Sequence, residues 1–287
     1  MATSYHTRSN SLPSRPHPFS SDFDENLHRL KASESASTSS SSISQRLNGL
    51  QDLYDSVDRL LQLPLSQQAL AQELQKKNVQ KFLDGSLILL DISSTAKDSL
   101  LQTKECILEL QSILRRRRGG EFEIDEVKKY LSSRKVVKMA IHKALKILKG
   151  AECSFSTLDE DLETKAMVSM LKETEAKTIT VLNSMLSLIS GPKAQSKISS
   201  WSVVSKLIQS KIIACEKEEK DVNEFDKVDA ALQSFIGLKT IKSDNFFHVQ
   251  NQLKELESSI QDLEEGIESL YRSLIKNRVS LLNILNN

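Results

Sequence analysis

The last forty or so residues carry a long, regular hydrophobic repeat, and this repeat constrains the fold more than any other part of the chain. Apolar side chains recur from Val249 onward at alternating steps of four and three residues, with Asn277 in one position of the row. Its members, called the seam below, are Leu253, Leu256, Ile260, Leu263, Ile267, Leu270, Leu274, Leu281 and Ile284. This is the heptad pattern of a helix that packs along another helix. The sequence therefore predicts one helix over about residues 246–285.

The residues beside the seam indicate what covers it. One flank is small or uncharged throughout, with Gln252, Ser259, Gly266, Ser273 and Ser280. Dimeric coiled coils usually carry opposite charges at such positions, whereas small residues let a helix of the same chain approach closely. Glu257 and Glu264 on the other flank would meet no Lys or Arg directly across a parallel homodimer. We therefore expect a monomer with an internal bundle in preference to a homodimer.

Composition points to an all-α fold. The 287 residues include 8 Gly and 5 Pro, and 5% are aromatic, so that turns and large strand-forming side chains are both scarce. These proportions favour long helices, and we predict an elongated bundle of six to eight of them. With 39 basic and 38 acidic residues, the chain lacks the strongly basic balance that is typical of nucleic-acid-binding domains. We expect no nucleic-acid partner.

The cysteines and apolar runs bear on metal sites and location. Cys106, Cys153 and Cys215 stand far apart, without a CxxC pair or a nearby His at ligand spacing, so neither a zinc site nor a disulfide framework is predicted. The longest apolar run, Leu87 to Leu90, is far shorter than the roughly 20 residues that span a bilayer. We expect a soluble, cytoplasmic protein without cofactors, with nucleus, membrane periphery and chloroplast as open alternatives.

Two regions are predicted along the chain. Residues 1–42 are rich in Ser, Pro and charged residues, and such a composition buries too little apolar surface to offset the entropy of ordering. We predict a disordered tail there and a helical bundle over residues 43–287. Capping and helix-breaking residues divide the bundle, and they are Pro64, Ser66, Gly150, and Gly191 with Pro192. Asp84 and Gly85 mark either a further break or an irregularity that the helix tolerates. Trp201 is predicted to anchor a further helix, and a short helix is expected from Val228 to Phe235.

Basic residues form a candidate surface on two neighbouring stretches. One stretch is the arginine run before Gly119, and the other is an amphipathic helix predicted over residues 125–149. The residues are Arg115, Arg116, Arg117, Arg118, Lys128, Lys129, Arg134, Lys135, Lys138, Lys143 and Lys146. Cations complement the dipole at a helix C-terminus, and lysines often form a solvated helix face. Both stretches can therefore have a purely structural role. The alternatives are a nuclear import signal, a surface that binds an anionic membrane, or a calmodulin target.

Motifs of catalysis are missing from the sequence. The chain contains no GxxxxGK[ST], GxGxxG, HExxH or GxSxG, which are patterns of nucleotide-binding proteins, zinc peptidases and hydrolases. His6, His17, His28, His142 and His248 have no Ser, Cys or Asp partner suggested by spacing. We predict a protein without enzymatic activity.

Two stretches resemble a known family. The segment HTRSNSLPSRPHP near the N-terminus and LESSIQDLEEGIESLYRSLIKNRVSLLNIL at the C-terminus are similar to the opening and closing signatures of a plant family of unknown function, the BYPASS-like proteins. The resemblance implies a role in root and shoot development and supplies no catalytic residues. Two functions are expected from this and from the helices: an adaptor or scaffold, or a peripheral membrane or calmodulin-binding protein that acts through the basic helix.

The tail also contains a candidate phosphorylation-dependent docking motif. Arg8, Ser9, Ser11 and Pro13 spell R-S-x-S-x-P, a pattern that resembles a 14-3-3 docking site once the second serine is phosphorylated. Phosphate at Ser11 would add about two negative charges that an arginine cluster can bind. We therefore predict 14-3-3 as one protein partner.

Overall fold

The fold is seen in a computed structural model that describes residues 18–34, 39–74, 78–116, 124–155, 165–191, 223–236 and 243–286. Within these ranges the chain forms eight α-helices and no strand. They are α1 Pro18–Ser33, α2 Ser40–Leu61, α3 Pro64–Leu74, α4 Asn78–Arg116, α5 Ile124–Phe155, α6 Lys165–Ser190, α7 Glu224–Phe235 and α8 Ser243–Asn286. The prediction of an all-α bundle with six to eight helices is confirmed.

The C-terminal helix α8 is the longest of the eight and lies at the centre of the packing. Its 44 residues span about 66 Å at 1.5 Å per residue, which makes the bundle elongated. All nine seam residues are buried, at 6% exposure or less. Helices α2 and α4 pack along α8, so the seam is covered by helices of the same chain.

The flank of small residues on α8 lies against α2, and the two helices run parallel. Ser40 Oγ of α2 is 3.2 Å from Ser259 Oγ. Further along, Ser280 Oγ donates to Asp58 Oδ1 at 3.2 Å. Between them a Cβ atom at Gly266 would stand 2.8 Å from Leu47 Cδ1, which is closer than carbon atoms pack. The absence of a side chain at residue 266 therefore sets how closely α2 and α8 approach.

The charged flank of α8 lies against α4, which runs antiparallel to it. Glu264 accepts from Lys104 Nζ at 2.5 Å, and Glu257 accepts from Gln111 Nε2 at 2.8 Å. Near the other end of the pair, Arg278 donates to the Leu83 carbonyl oxygen. These contacts give each charged residue of that flank a partner within the chain.

The predicted disordered tail is wrong over residues 18–33, where the structure has helix α1. Phe23, Leu27 and Leu30 follow one another at helical spacing and are buried, and α1 packs on α2. Asn26 Nδ2 donates to Ser56 Oγ at 2.8 Å. The apolar spacing within 18–33 outweighs the Ser-rich composition that surrounds it. Residues 1–17 and 35–38 lie outside the described residues.

The glycines and prolines mark helix ends less reliably than predicted. Helix α3 begins at Pro64 and not at Ser66, as the fixed φ of proline suits the first helical turn. Helix α4 passes through Asp84 and Gly85 without a break, so of the two alternatives the tolerated irregularity is the correct one. Helix α5 continues past Gly150 to Phe155, so the predicted end at 149 is wrong.

The glycine at the end of α6 does close its helix. Gly191 has a φ of +73°, in the left-handed region that glycine adopts without strain. Its amide donates to the Ser187 carbonyl at 3.0 Å. The short helix predicted from Val228 to Phe235 is part of α7, with Asn223 as its N-terminal cap. The helix predicted around Trp201 lies outside the described residues.

Candidate functional site

Helices α4 and α5 lie side by side and antiparallel, and together they present an outer surface to solvent. Gln102 Nε2 donates to Ser133 Oγ at 3.0 Å. One to two turns further along, Lys129 Nζ lies 2.6 Å from Glu109 Oε1. Because α4 packs on α8 by another face, its side chains at the junction with α5 are left partly open.

A groove of about 430 Å³ runs along this junction. Its walls are mainly apolar, and its lining includes Ile88, Asp91, Val136, Met139, Lys143 and Ile147. Val136, Met139 and Ile147 are 51%, 52% and 54% exposed. Large apolar side chains grouped at that exposure indicate a contact surface when they share one groove. We call the outer sides of α4 and α5, with this groove, the α4–α5 face.

A row of lysines lies on the α5 side of the face. Lys135, Lys143 and Lys146 are exposed, and no ion pair within the described part of the chain involves them. Lys128 and Lys129 are exposed too, but they are paired with Asp125 at 2.8 Å and with Glu109. Lys143 also lines the groove, so a positive charge borders its apolar wall.

The α4 side of the face carries the opposite charge. Acidic residues recur there every seven positions, and all four are exposed: Asp84, Asp91, Asp98 and Glu105. Seven residues are close to two helical turns, so these carboxylates form a row along one side of α4. Asp91 lines the groove opposite Lys143. The α4–α5 face is therefore apolar along its middle, acidic on one edge and basic on the other.

Arg134 does not belong to this surface, and its assignment to the basic surface is wrong. The residue falls in the buried stripe of α5, between Tyr130 and Val137, and is 2% exposed. Its Nε lies 3.1 Å from Asp229 Oδ1, and its Nη2 donates to the Ile189 carbonyl at 2.7 Å. The helical period places residue 134 on the core side, where the Asp229 carboxylate offsets its charge and the Ile189 carbonyl accepts one of its hydrogen bonds.

Asp229 lies on α7, and its contact with Arg134 links α7 to α5 and α6. Besides Arg134, it accepts from Tyr130 Oη at 3.0 Å and pairs with Lys138 Nζ at 2.9 Å. Burial alone would raise the pKa of Asp229, but Arg134 and Lys138 outweigh it and hold the pKa below its ordinary value. The carboxylate fastens α7 to α5, while Arg134 reaches α6. Lys138 is thus occupied by a structural ion pair.

The remaining predicted site residues lie at the end of α4 or outside the described residues. Arg115 Nη2 donates to Gln111 Oε1 at 3.1 Å, and Arg116 Nη2 donates to Ser112 Oγ at 2.7 Å. Both are exposed on the last turn of α4, where cations complement the helix dipole. Arg117 and Arg118 lie outside the described residues, and so does the docking motif of Arg8, Ser9, Ser11 and Pro13.

The described ranges contain neither a metal-binding cluster nor a membrane span. No group of three or more His, Cys, Asp or Glu side chains there could hold a metal ion. None of the described helices is long and apolar enough to cross a membrane.

Two sequence signals of the α4–α5 face do not enter the predicted site. Val136, Met139, Ala140 and Ile147 form a second apolar stripe on the predicted basic helix, roughly opposite the buried one. The acidic heptad row on α4 is hard to recognise because its residues resemble the ordinary polar positions of a bundle. Their proximity depends on the antiparallel pairing of α4 with α5, which only the fold shows.

These helices define an all-α protein whose bundle is closed by one heptad-patterned helix and which presents an amphipathic outer face. The chain belongs to the plant-specific family described as Protein BPS1, whose model matches residues 46–284. This confirms the resemblance to the BYPASS-like proteins. No curated protein and no solved structure matches the chain. The matched range contains the whole of the α4–α5 face.

Proposed function

We propose that the protein is a non-enzymatic helical adaptor or scaffold of plant root and shoot development, which acts by binding protein through the α4–α5 face. Family membership supports the developmental role, and the family is not known for enzymatic activity. The observation that carries the binding role is the row of Val136, Met139 and Ile147, each about half exposed in one groove. Such side chains gain free energy when a partner covers them.

The proposal is tested by changing the groove and measuring function in a plant. A Val136→Glu, Met139→Glu variant places two carboxylates in the apolar wall and should abolish rescue of root and shoot growth in plants that lack the protein. Both positions are about half exposed, so the melting temperature should stay close to that of the wild type.

Leu108→Glu is a control for that experiment, with one carboxylate at an exposed apolar position outside the groove. Leu108 is 40% exposed on α4 but does not line the groove, and its variant should rescue growth fully. Full rescue by the groove variant, at equal protein level, would show that the face has no part in the function.

A second candidate function is binding to an anionic membrane surface. It is favoured by the exposed Lys135, Lys143 and Lys146 beside the exposed Met139 and Ile147. It is disfavoured by the acidic row on α4, which would lie against the same lipid headgroups. Flotation with anionic liposomes decides the matter: binding that is lost on reversing Lys135, Lys143 and Lys146, and that weakens with salt, would support it.

A calmodulin target helix is supported less well by this arrangement. Calmodulin encloses the apolar side of its target, and the apolar side of α5 is already occupied by the core, with Val137, Ile141 and Leu148 at 1% exposure or less. Binding would require α5 to leave the bundle.

Docking of a 14-3-3 protein at phosphorylated Ser11 is a separate proposal for regulation. Its support is the sequence alone, in which Arg8 precedes the serine and Pro13 follows it. A peptide of residues 5–18 phosphorylated at Ser11 should bind 14-3-3 in a titration. An unmodified peptide and an Arg8→Ala, Pro13→Ala phosphopeptide should bind much more weakly, and equal weak binding by all three would end the idea.

A further inference from the structure

We infer that the α4–α5 face binds the same face of a second copy of this chain. The inference rests on the proposed role of this face in binding protein, and it names the partner. It starts from the two charged edges: α4 carries the acidic row with Asp91 and Asp98, and α5 carries Lys135 and Lys143. A surface that holds both signs in parallel rows is complementary to a copy of itself that has been turned over.

The register of the two rows makes this complementarity specific. Gln102 contacts Ser133 across the antiparallel pair. Asp91 is eleven residues from Gln102 and Lys143 is ten residues from Ser133, so the two differ in height by about 1.5 Å at 1.5 Å per residue. Asp98 is four residues from Gln102 and Lys135 is two residues from Ser133, a difference in height of about 3 Å. Both Asp91 and Lys143 line the groove. The acidic and basic positions therefore occur at similar heights along the face, within the reach of a lysine side chain.

The symmetry of a dimer then decides which charges meet. A two-fold axis parallel to the helices, above the groove, places α4 of each copy over α5 of the other without changing heights. Asp91 then meets Lys143 of the second copy, and Asp98 meets Lys135, each pair occurring twice, as an isologous interface requires. A two-fold axis across the helices would instead stack acid on acid and base on base. The charge pattern thus selects the first arrangement.

The apolar middle of the face supplies the attraction that exposed ion pairs lack. Ion pairs at a surface contribute little by themselves, but Val136, Met139 and Ile147 of the two copies would cover one another along the axis. Methionine adapts to irregular surfaces, which suits a side chain at the centre of such a contact. This interface is distinct from the seam, which α2 and α4 of the same chain already cover. The inferred dimer therefore departs from the monomer expected from the flanks of the seam.

An anionic membrane fits the same face less well. The lysines would be attracted to anionic lipid, but Asp91 and Asp98 lie on the same exposed side and would be repelled. A second copy presents a positive charge to each of these carboxylates, and a negative charge to Lys135 and Lys143. A second copy therefore places fewer like charges against each other than an anionic membrane does.

The test is a charge swap measured by sedimentation equilibrium on the full chain, over roughly 1–100 µM so that weak dimers are populated. The wild type should form dimers. Lys143→Glu alone and Asp91→Lys alone should each weaken dimerisation by about tenfold or more, since two pairs per dimer become like-charged.

An equimolar mixture of the two variants should restore association in the form of heterodimers. In such a heterodimer the carboxylate introduced by Lys143→Glu in one copy faces the ammonium group introduced by Asp91→Lys in the other. The native Asp91 of the first copy still pairs with the native Lys143 of the second. Both charge pairs of the interface are therefore of opposite sign again.

Folding is controlled by circular dichroism at a concentration below that at which the wild type dimerises, because dimerisation itself raises the melting temperature. Both variants should melt like the wild type there, since residues 91 and 143 are exposed in the single chain. A wild type that is monomeric throughout the concentration range overturns the inference. So does a mixture that stays monomeric when the wild type dimerises. Either result leaves the proposed function to be judged by the plant rescue experiment, which does not depend on the identity of the partner.

Discussion

Glu175 on α6 carries a carboxyl group into the core of the bundle. The residue is 8% exposed, and its Oε2 makes no hydrogen bond within the described part of the chain, nor does Asn277 Nδ2 of α8. Both side chains line a cavity of about 20 Å³, which is room for one water molecule. Burial raises the pKa of Glu175 well above the ordinary value of 4.5. The carboxyl group of Glu175 therefore keeps its proton to a higher pH in the folded chain than in the unfolded one.

Replacing Glu175 with glutamine should remove a pH dependence of stability. Below pH 4.5 the carboxyl is protonated in both states, and wild type and variant should be about equally stable. As the pH rises, the unfolded wild type loses its proton while the folded one keeps it, so the wild type loses up to about 1.4 kcal/mol per pH unit relative to the variant, until the folded pKa is reached.

Urea unfolding of both proteins between pH 4 and pH 8 measures this difference. The groups that face Glu175 across the cavity, Tyr54 and Asn277, stay neutral in that range, since burial raises the pKa of Tyr54 above its ordinary 10.0. A constant difference between the two proteins at all pH values would mean that Glu175 does not retain its proton on folding.

Gly266 and Gly150 are both helical glycines, and alanine should have opposite effects at the two positions. At Gly266 a Cβ would stand 3.0 Å from Leu47 Cβ, an atom fixed to the backbone of α2, whereas at Gly150 nothing lies within 4 Å. Gly266→Ala should destabilise the protein by about 1–2 kcal/mol after the gain in helix propensity, and Gly150→Ala should stabilise it by up to about 1 kcal/mol. Thermal unfolding checks both, and a stabilising Gly266→Ala would show that α2 and α8 do not approach so closely.

At the scale of single helices, α8 is the element whose failure should unfold the molecule. Leu263 is fully buried at the middle of the seam, and Leu263→Asp places an uncompensated carboxylate there. The change should cost about 3–5 kcal/mol, which is a large part of the stability of a typical domain. Helical circular dichroism and the urea midpoint measure it.

The control for this change lies on the same helix. Ser258 is exposed, and Ser258→Asp introduces the same side chain at a solvated position, so it should cost no more than about 0.5 kcal/mol. Equal and small losses for both variants would show that the seam is not buried in solution.

The helices differ in how well their sequences predict them. The seam of α8 is readable because a heptad row over many turns has one structural interpretation, and its small flank also indicates the close neighbour that lies at Gly266. The prediction fails over residues 18–33 because the average composition of this Ser-rich stretch resembles that of a disordered tail. The helical spacing of its three apolar residues, Phe23, Leu27 and Leu30, is hidden by that average.

Glycine positions and surface charges are predicted less well for a different reason. A helix continues through Gly85 and Gly150 because packing on either side outweighs a loss of about 1 kcal/mol per glycine. Arg134 resembles a surface residue in the sequence because its partner Asp229 lies 95 positions away, and no local pattern announces that pair. The α4–α5 face likewise depends on which helices become neighbours.

At the scale of the whole molecule, α1 differs from α8, the helix that carries the seam, because α1 packs on the bundle through one side only. Phe23, Leu27 and Leu30 are buried among its described side chains, and its ion pairs there are mostly exposed, as in Arg29 with Asp52 at 2.5 Å. The seam helix, in contrast, packs on both α2 and α4. A helix held by one face can detach while the remaining bundle stays folded, in the manner of local unfolding.

Substitutions in α1 should therefore have effects that saturate, whereas those in the seam should not. Phe23→Ala and Leu30→Ala each remove buried contacts worth about 2–5 kcal/mol, but once α1 is detached the second change has nothing left to remove. The global free energy of unfolding of the double variant should then equal that of the less stable single variant within about 0.5 kcal/mol. Hydrogen exchange of the α1 amides should become fast, while that of the α8 amides stays slow. Asp24→Ala, at an exposed position of the same helix, should change neither quantity. Additive losses in the double variant, with α1 and α8 exchanging together, would instead show that α1 unfolds only with the whole bundle.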